Sequence, residues 1–191
     1  APLPTVIKGL IDSRRQVKQI IAKEKNPVVL QQRKIREQAL KLTANSMYGC
    51  LGFSHSRFFC KPLAELITSQ GRAILQKTVD IVEHRLSYQV VYGDTDSIMI
   101  NTNSQDYDSV RREMAEKIKR EINKDYRTLR IDIDGIFQPL LLLKKKKYAA
   151  MKLVMTDGQL VKRREDKGLD TVRRDWSRIA KQTGNQVLTE I

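Results

Sequence analysis

The chain has 191 residues, 40% of them hydrophobic, which is enough to bury a core as one domain, or one domain with a lobe, and excludes a disordered tail. Its 36 lysines and arginines against 22 aspartates and glutamates leave a formal net charge of +14, which repels itself unless a polyanion offsets it; nucleic acid is the first candidate. An anionic membrane surface is the rival, but no stretch has the apolar length of a transmembrane span and no charged-then-apolar leader opens the chain, so a soluble protein with no membrane partner is expected.

Val6, Ile7, Leu10, Ile11, Val17, Ile20 and Ile21 recur at helical spacing and predict a first helix from about Thr5 to Ala22, broken by Asn26-Pro27. By helical phase Arg14 falls inside the stripe of Ile7, Leu10, Val17 and Ile21, with Lys18 near its edge. Either both snorkel past a modest core, or they grip the phosphate oxygens of a bound anion. A second helix is predicted from about Val28 to Met47 or a little beyond, and so short a link makes an antiparallel helical hairpin with the stretch Gly49 to Arg57 as its exit. On it Lys41, Asn45 and Tyr48 follow i, i+4, i+7 spacing and share a face, either a solvated face or a cation, amide and aromatic set to bind a nucleotide. Cys50 and Cys60, with His55 and His84, are too few for a disulfide framework or a zinc site, and both thiols are expected to be reduced and partly buried.

Pro62 opens a third helix that Leu63, Leu66, Ile67, Ile74, Leu75, Val79 and Val82 carry to about Leu86. The segment from Val90 to Ile100 then sets two carboxylates on a tight turn between two apolar β runs, with Gly93-Asp94 as the turn signal. The equal parity of Asp94 and Asp96 could aim both side chains the same way, and two anions in one small volume repel unless a cation lies between them. Hard oxygen ligands suit Mg²⁺, which takes few carboxylates plus substrate phosphates. The plain alternative is a solvated acidic tip.

A helix from about Tyr107 to Tyr126 follows, then strands around Leu129–Ile133, Ile136–Leu143 and Tyr148–Met155, a turn at Asp157-Gly158 and a last helix from about Thr171. Helices on one side of a mostly antiparallel sheet make an α+β fold. Asp132 and Asp134 alternate with isoleucines and read as the wet face of a half-buried strand. The lysines at 144–147 read as a strand continuing without a break, so that Lys144, Lys146 and Tyr148 point one way and Lys145 and Lys147 the other. Lysines beside an aromatic can track a nucleic-acid backbone, or they can keep an edge strand soluble.

These blocks together resemble the family B DNA polymerases. Tyr92-Gly93-Asp94-Thr95-Asp96-Ser97 is similar to that family's palm metal motif, and Lys41, Asn45, Ser46, Tyr48 and Gly49 are spaced like its fingers helix. Lys145-Lys146-Lys147-Tyr148 is similar to its primer-template contact strand. Lys167-Gly168-Leu169-Asp170, followed by Val172-Arg173-Arg174-Asp175, resembles the late palm block of its eukaryotic branch. The resemblance implies fingers at 1–58 and part of a palm at 59–191, adding deoxynucleotides to a primer 3′-hydroxyl with two Mg²⁺ ions. Asp96 would bind metal directly and Asp94 would shape the same turn. Arg14, Lys18 and Lys41 would hold the incoming deoxynucleoside triphosphate, and Asn45 and Tyr48 would line the nascent base pair. Lys145, Lys146, Lys147 and Tyr148 would hold the primer-template, on DNA or an RNA primer.

By the same likeness the setting is the nucleus, with primase and accessory subunits as partners. The family's other metal-binding aspartate lies on a strand upstream of the fingers, and nothing before Arg14 resembles it; an exonuclease-like part and a thumb are unmatched too. With a start at Ala1-Pro2 and no initial methionine, a piece of a longer protein is expected, and with one catalytic carboxylate block absent it is expected to be inactive alone. The rival is a non-catalytic nucleic-acid-binding module or degenerate polymerase-like subunit, which would need none of Asp96, Lys41 and Arg14.

Overall fold

A computed structural model describes residues 2–156, 158–172 and 175–190. The chain forms two compact units, Ala1–Gly71 and Arg72–Ile191, divided within a single helix. Among the described residues no helix is long and apolar enough to cross a membrane.

The first unit is helical. Helix α1 spans Pro2–Ile21, earlier than its apolar spacing alone predicts, because Pro2 and Pro4 fall in a first turn whose N–H groups have no intrahelical partner to lose. Helix α2 spans Pro27–Gly52. Asn26, expected only to break the first helix, also starts the second: its side chain accepts from Val28 N–H at 3.0 Å and Val29 N–H at 3.4 Å, with Pro27 just inside. The helix runs past Met47 and includes Gly49, expected in the exit, and closes where Phe53 N–H donates to the Gly49 carbonyl at 3.1 Å. The chain then returns so that Cys60 N–H donates to the Leu51 carbonyl at 2.9 Å. Both cysteines are free thiols and half-buried. Ile7, Leu10, Arg14, Val17 and Ile21 form the shielded stripe of α1, with Val17 the deepest at 4% exposed. On α2 the matching stripe is Leu30, Arg33, Glu37, Leu40, Ala44 and Met47.

The second unit takes in the end of helix α3 (Lys61–Asp80), which passes into a π-helical turn at Ile81–Arg85. Strands β1 (Gln89–Asp94) and β2 (Ser97–Asn101) pair antiparallel, with a bulge between Val90 and Tyr92. Helix α4 (Tyr107–Ser109) leads through a π-helical stretch at Val110–Ala115 into α5 (Glu116–Lys124). Ile81 and Val82 pack with Ile118 and Ile122 to form a core onto which Val90, Ile98 and Ile100 fold, so the β1–β2 hairpin rests on a helical platform.

The strand expected at Leu129–Ile133 does not form. Asn123 instead receives Ile131 N–H at 2.8 Å and donates to the Ile131 carbonyl at 2.9 Å, giving that backbone the partners a neighbouring strand would have supplied. Asp132 and Asp134 are exposed on this irregular segment, and Asp132 pairs with Lys119 at 2.9 Å. Strands β3 (Ile136–Lys144), β4 (Lys147–Thr156) and β5 (Gln159–Lys167) form an antiparallel sheet in that order. Strand β5 was not foreseen. A 3₁₀ turn at Asp170–Val172 precedes α6 (Arg178–Glu190), so the last helix begins later than Thr171. Of the turn expected at Asp157-Gly158, Gly158 has φ 79° and Asp157 lies outside the described residues, as do Arg173 and Arg174. Helices with two small antiparallel sheets confirm the α+β class.

Candidate active site

In the first unit, the stripe position of Arg14 has a structural cause: its Nε donates to Glu37 Oε1 at 2.6 Å. Arg14 keeps 35% and Glu37 21% side-chain exposure, so solvent screens the pair and it contributes about 1 kcal/mol or less. Glu37 was missed by sequence reasoning, although its place in the α2 stripe was the available signal. Lys18, Lys41, Asn45 and Tyr48 are all exposed. Lys18 and Lys41 carry no ion pair among the described residues.

In the second unit, the hairpin turn is Thr95-Asp96, because Asp94 pairs with Ser97 across the strands; Gly93 belongs to β1. Thr95 takes a left-handed backbone, φ 52°, and its hydroxyl donates to Asp94 Oδ1 at 3.2 Å. Strand parity therefore stops at Asp94. Val90, Tyr92 and Asp94 are half-buried on one face of β1, and Asp96, past the end of that strand, is exposed at the tip, so the parity argument does not extend to it.

The four lysines do not continue a strand. Lys144 pairs with Lys147, and Lys145-Lys146 is a two-residue turn between β3 and β4, with Lys146 at φ 64°. The alternation expected for Lys144 to Tyr148 is interrupted there, which leaves Lys145 and Lys146 exposed. Lys147 instead turns its ammonium to Asp170 at 2.7 Å. Tyr148 is half-buried, its ring edge-on to Phe137 with centroids 6.2 Å apart. Burial first, and then the Glu165 carboxylate, push its phenol above the ordinary range.

The lysine turn meets the acid hairpin. Lys146 N–H donates to the Tyr92 hydroxyl at 2.7 Å, and Lys146 Nζ lies 3.4 Å from Asp94 Oδ2. From the other side, Gly168 (φ 61°) packs so closely on the Lys146 carbonyl that a Cβ there would collide with it. Leu169 beside it is buried, and Asp170 holds Lys147. The Lys167–Asp170 segment thus clasps the lysine turn against the β1–β2 hairpin. Tyr92 and Gly168 were quoted in the sequence motifs, but their placing of this turn was not legible there.

The sequence profile of DNA polymerase family B matches residues 1–191. This chain belongs to DNA polymerase family B. Over 191 residues it is 56% identical to a Xenopus laevis protein named DNA polymerase alpha catalytic subunit, covering 99% of this chain and 13% of that protein. It is 54% identical to the Mus musculus protein of the same name, with the same coverage. To the one from Oryza sativa subsp. japonica it is 56% identical over 189 residues, 99% of this chain and 12% of that protein. The chain thus spans about an eighth of the length of these relatives. In this family B chain the acid hairpin and lysine turn lie together within the second unit, and the exposed cations of α1 and α2 lie within the first.

Proposed function

We propose that this chain supplies the nucleotide-gripping and metal-bearing parts of a DNA-directed DNA polymerase that extends a primer during replication. One observation carries the reading: in a family B chain, an exposed Asp96 stands at the tip of a hairpin whose Asp94 touches an exposed lysine turn. The fingers reading applies to the helical hairpin at 1–58 and the palm reading to 59–191.

Mg²⁺ suits this donor set. It binds through one or two carboxylates and completes its shell with water and substrate phosphates, as an exposed turn allows. Among the described residues no group of three or more His, Cys, Asp or Glu lies together to hold a metal, and the resemblance puts the second metal-binding aspartate on a strand upstream of the fingers. Asp96 would hold the ions directly, with Asp94 shaping the turn. When bound, two such ions supply Lewis-acid stabilisation of the attacking and leaving oxygens.

Lys41 and Lys18 hold the triphosphate as exposed ammonium groups, and Arg14 joins them only by leaving Glu37. Asn45 and Tyr48, on the same helix as Lys41, line the nascent base pair. Lys145 and Lys146 touch primer-template phosphates, Lys147 fixes their turn through Asp170, and Tyr148 backs it from the sheet. The primer 3′-hydroxyl then attacks the α-phosphate of the bound deoxynucleotide and pyrophosphate leaves. The relatives are each named a catalytic subunit, which supports partner subunits; primase among them and a nuclear setting are carried over from the family resemblance alone.

The test is Asp96→Asn in a full-length polymerase carrying this chain. Nearly all primer extension should be lost while the primer-template dissociation constant stays unchanged, because a metal ligand and not a DNA contact is removed. Full extension in Mg²⁺ would overturn the assignment.

A further inference from the structure

Two demands meet on the Lys146 ammonium. It lies 3.4 Å from Asp94 Oδ2, yet the side chain keeps 63% of its exposure while that of Asp94 keeps 24%. The backbone beneath it has no such freedom. It is fixed by the Tyr92 hydroxyl at 2.7 Å, by Gly168 against its carbonyl, and by the neighbouring Lys147–Asp170 pair at 2.7 Å. With the turn pinned and the side chain largely in solvent, only the choice of anion is open. Asp94 is one candidate; a phosphate of bound nucleic acid is the other, and a solvated lysine exchanges between such partners readily.

We propose that Lys146 is an exchangeable counter-ion that couples primer-template binding to metal binding at the Asp94–Asp96 turn, an inference that rests on the polymerase reading above. Without nucleic acid, Lys146 neutralises Asp94 and its positive charge opposes a divalent cation at the turn. A primer-template phosphate draws the ammonium away, which restores the negative charge of Asp94 and strengthens the metal site. By linkage the metal must tighten primer-template binding by the same factor. The arrangement withholds metal until the primer-template is seated.

Mn²⁺ binding followed by electron paramagnetic resonance tests this in a full-length polymerase carrying this chain, with and without primer-template and with no nucleotide. In the wild type, primer-template should tighten Mn²⁺ binding by about fivefold or more, the lower end of ordinary coupling between sites. Lys146→Gln should bind Mn²⁺ more tightly than the wild type when DNA is absent, and primer-template should then add little. In metal-free buffer, Asp94→Asn should tighten primer-template binding more than Asp96→Asn, which removes an equal charge from a residue that, among the described residues, forms no ion pair with Lys146. Unchanged Mn²⁺ affinity in DNA-free Lys146→Gln, with DNA binding weakened, would overturn the exchange and leave the DNA contact standing. If Lys146→Gln altered neither affinity, the DNA contact would fall and the exchange with it.

Discussion

Thr95 at φ 52° and Lys146 at φ 64° hold left-handed backbone in the two turns of the site, where Gly or Asn would be the inexpensive choice. Each costs about 1–2 kcal/mol and persists because its surroundings over-determine it. The β1–β2 register and the bond to Asp94 fix Thr95; Tyr92, Gly168 and the Lys147–Asp170 pair fix Lys146. Gly168 bears on this most directly. Gly168→Ala should lower stability by well over the ~1–2 kcal/mol of left-handed strain alone, since its Cβ must also displace the Lys146 carbonyl. Gly158→Ala, at φ 79° with nothing within 4 Å, should cost only that strain. Urea midpoints for the two variants measure the difference, and equal losses would deny the clasp. None of this was legible in the sequence: four lysines contain no turn signal, and Gly93-Asp94 drew the acid turn two residues early.

Among the elements, α5 is tied to the end of α3 by one acid. Asp125, which caps α5, receives Lys77 Nζ at 2.9 Å and lies 3.7 Å from Arg85 Nη1. The hydrogen bond from Lys77, aided by both positive charges, holds its carboxyl below the ordinary value of 3.8. A lowered carboxyl favours the folded state at pH values above 3.8, and that contribution is lost as pH falls through the folded value, where the native acid too takes a proton. The wild type should therefore lose stability more steeply than Asp125→Asn as pH drops below about 4. Denaturant midpoints at a series of acid pH values would show it, and parallel curves would mean the bridge contributes nothing. The helices were legible because apolar residues recur at helical spacing, and β1–β2 because apolar runs flank a turn. Strand β5, Gln159–Lys167, was not, because its stability comes from pairing along β4 and from charged contacts such as Lys152–Glu165 at 3.6 Å and Arg164–Asp166 at 2.8 Å. The segment at 129–133 has a strand's alternation without a strand because a side chain, Asn123, satisfies its backbone.

Across the whole molecule, the proposed function divides the labour between the two units: cations on the helical hairpin for the triphosphate, carboxylates and the lysine turn for metal and primer. The sequence showed which residue types stand at these positions but not their present partners. The pairing of Glu37 with Arg14 and that of Asp170 with Lys147 were both invisible in the sequence. The difference separates Lys41, exposed and without an ion pair among the described residues, from Arg14, which must first give up Glu37. The most direct measurement is a single-turnover nucleotide titration of Lys41→Ala in a full-length polymerase carrying this chain. Loss of a charge-assisted contact of about 1.5–3 kcal/mol should raise the apparent nucleotide dissociation constant roughly tenfold or more, while primer-template affinity stays at the wild-type value. Weakened primer-template binding with unchanged nucleotide affinity would contradict the account, because it would make the helical hairpin a nucleic-acid surface and not the triphosphate grip.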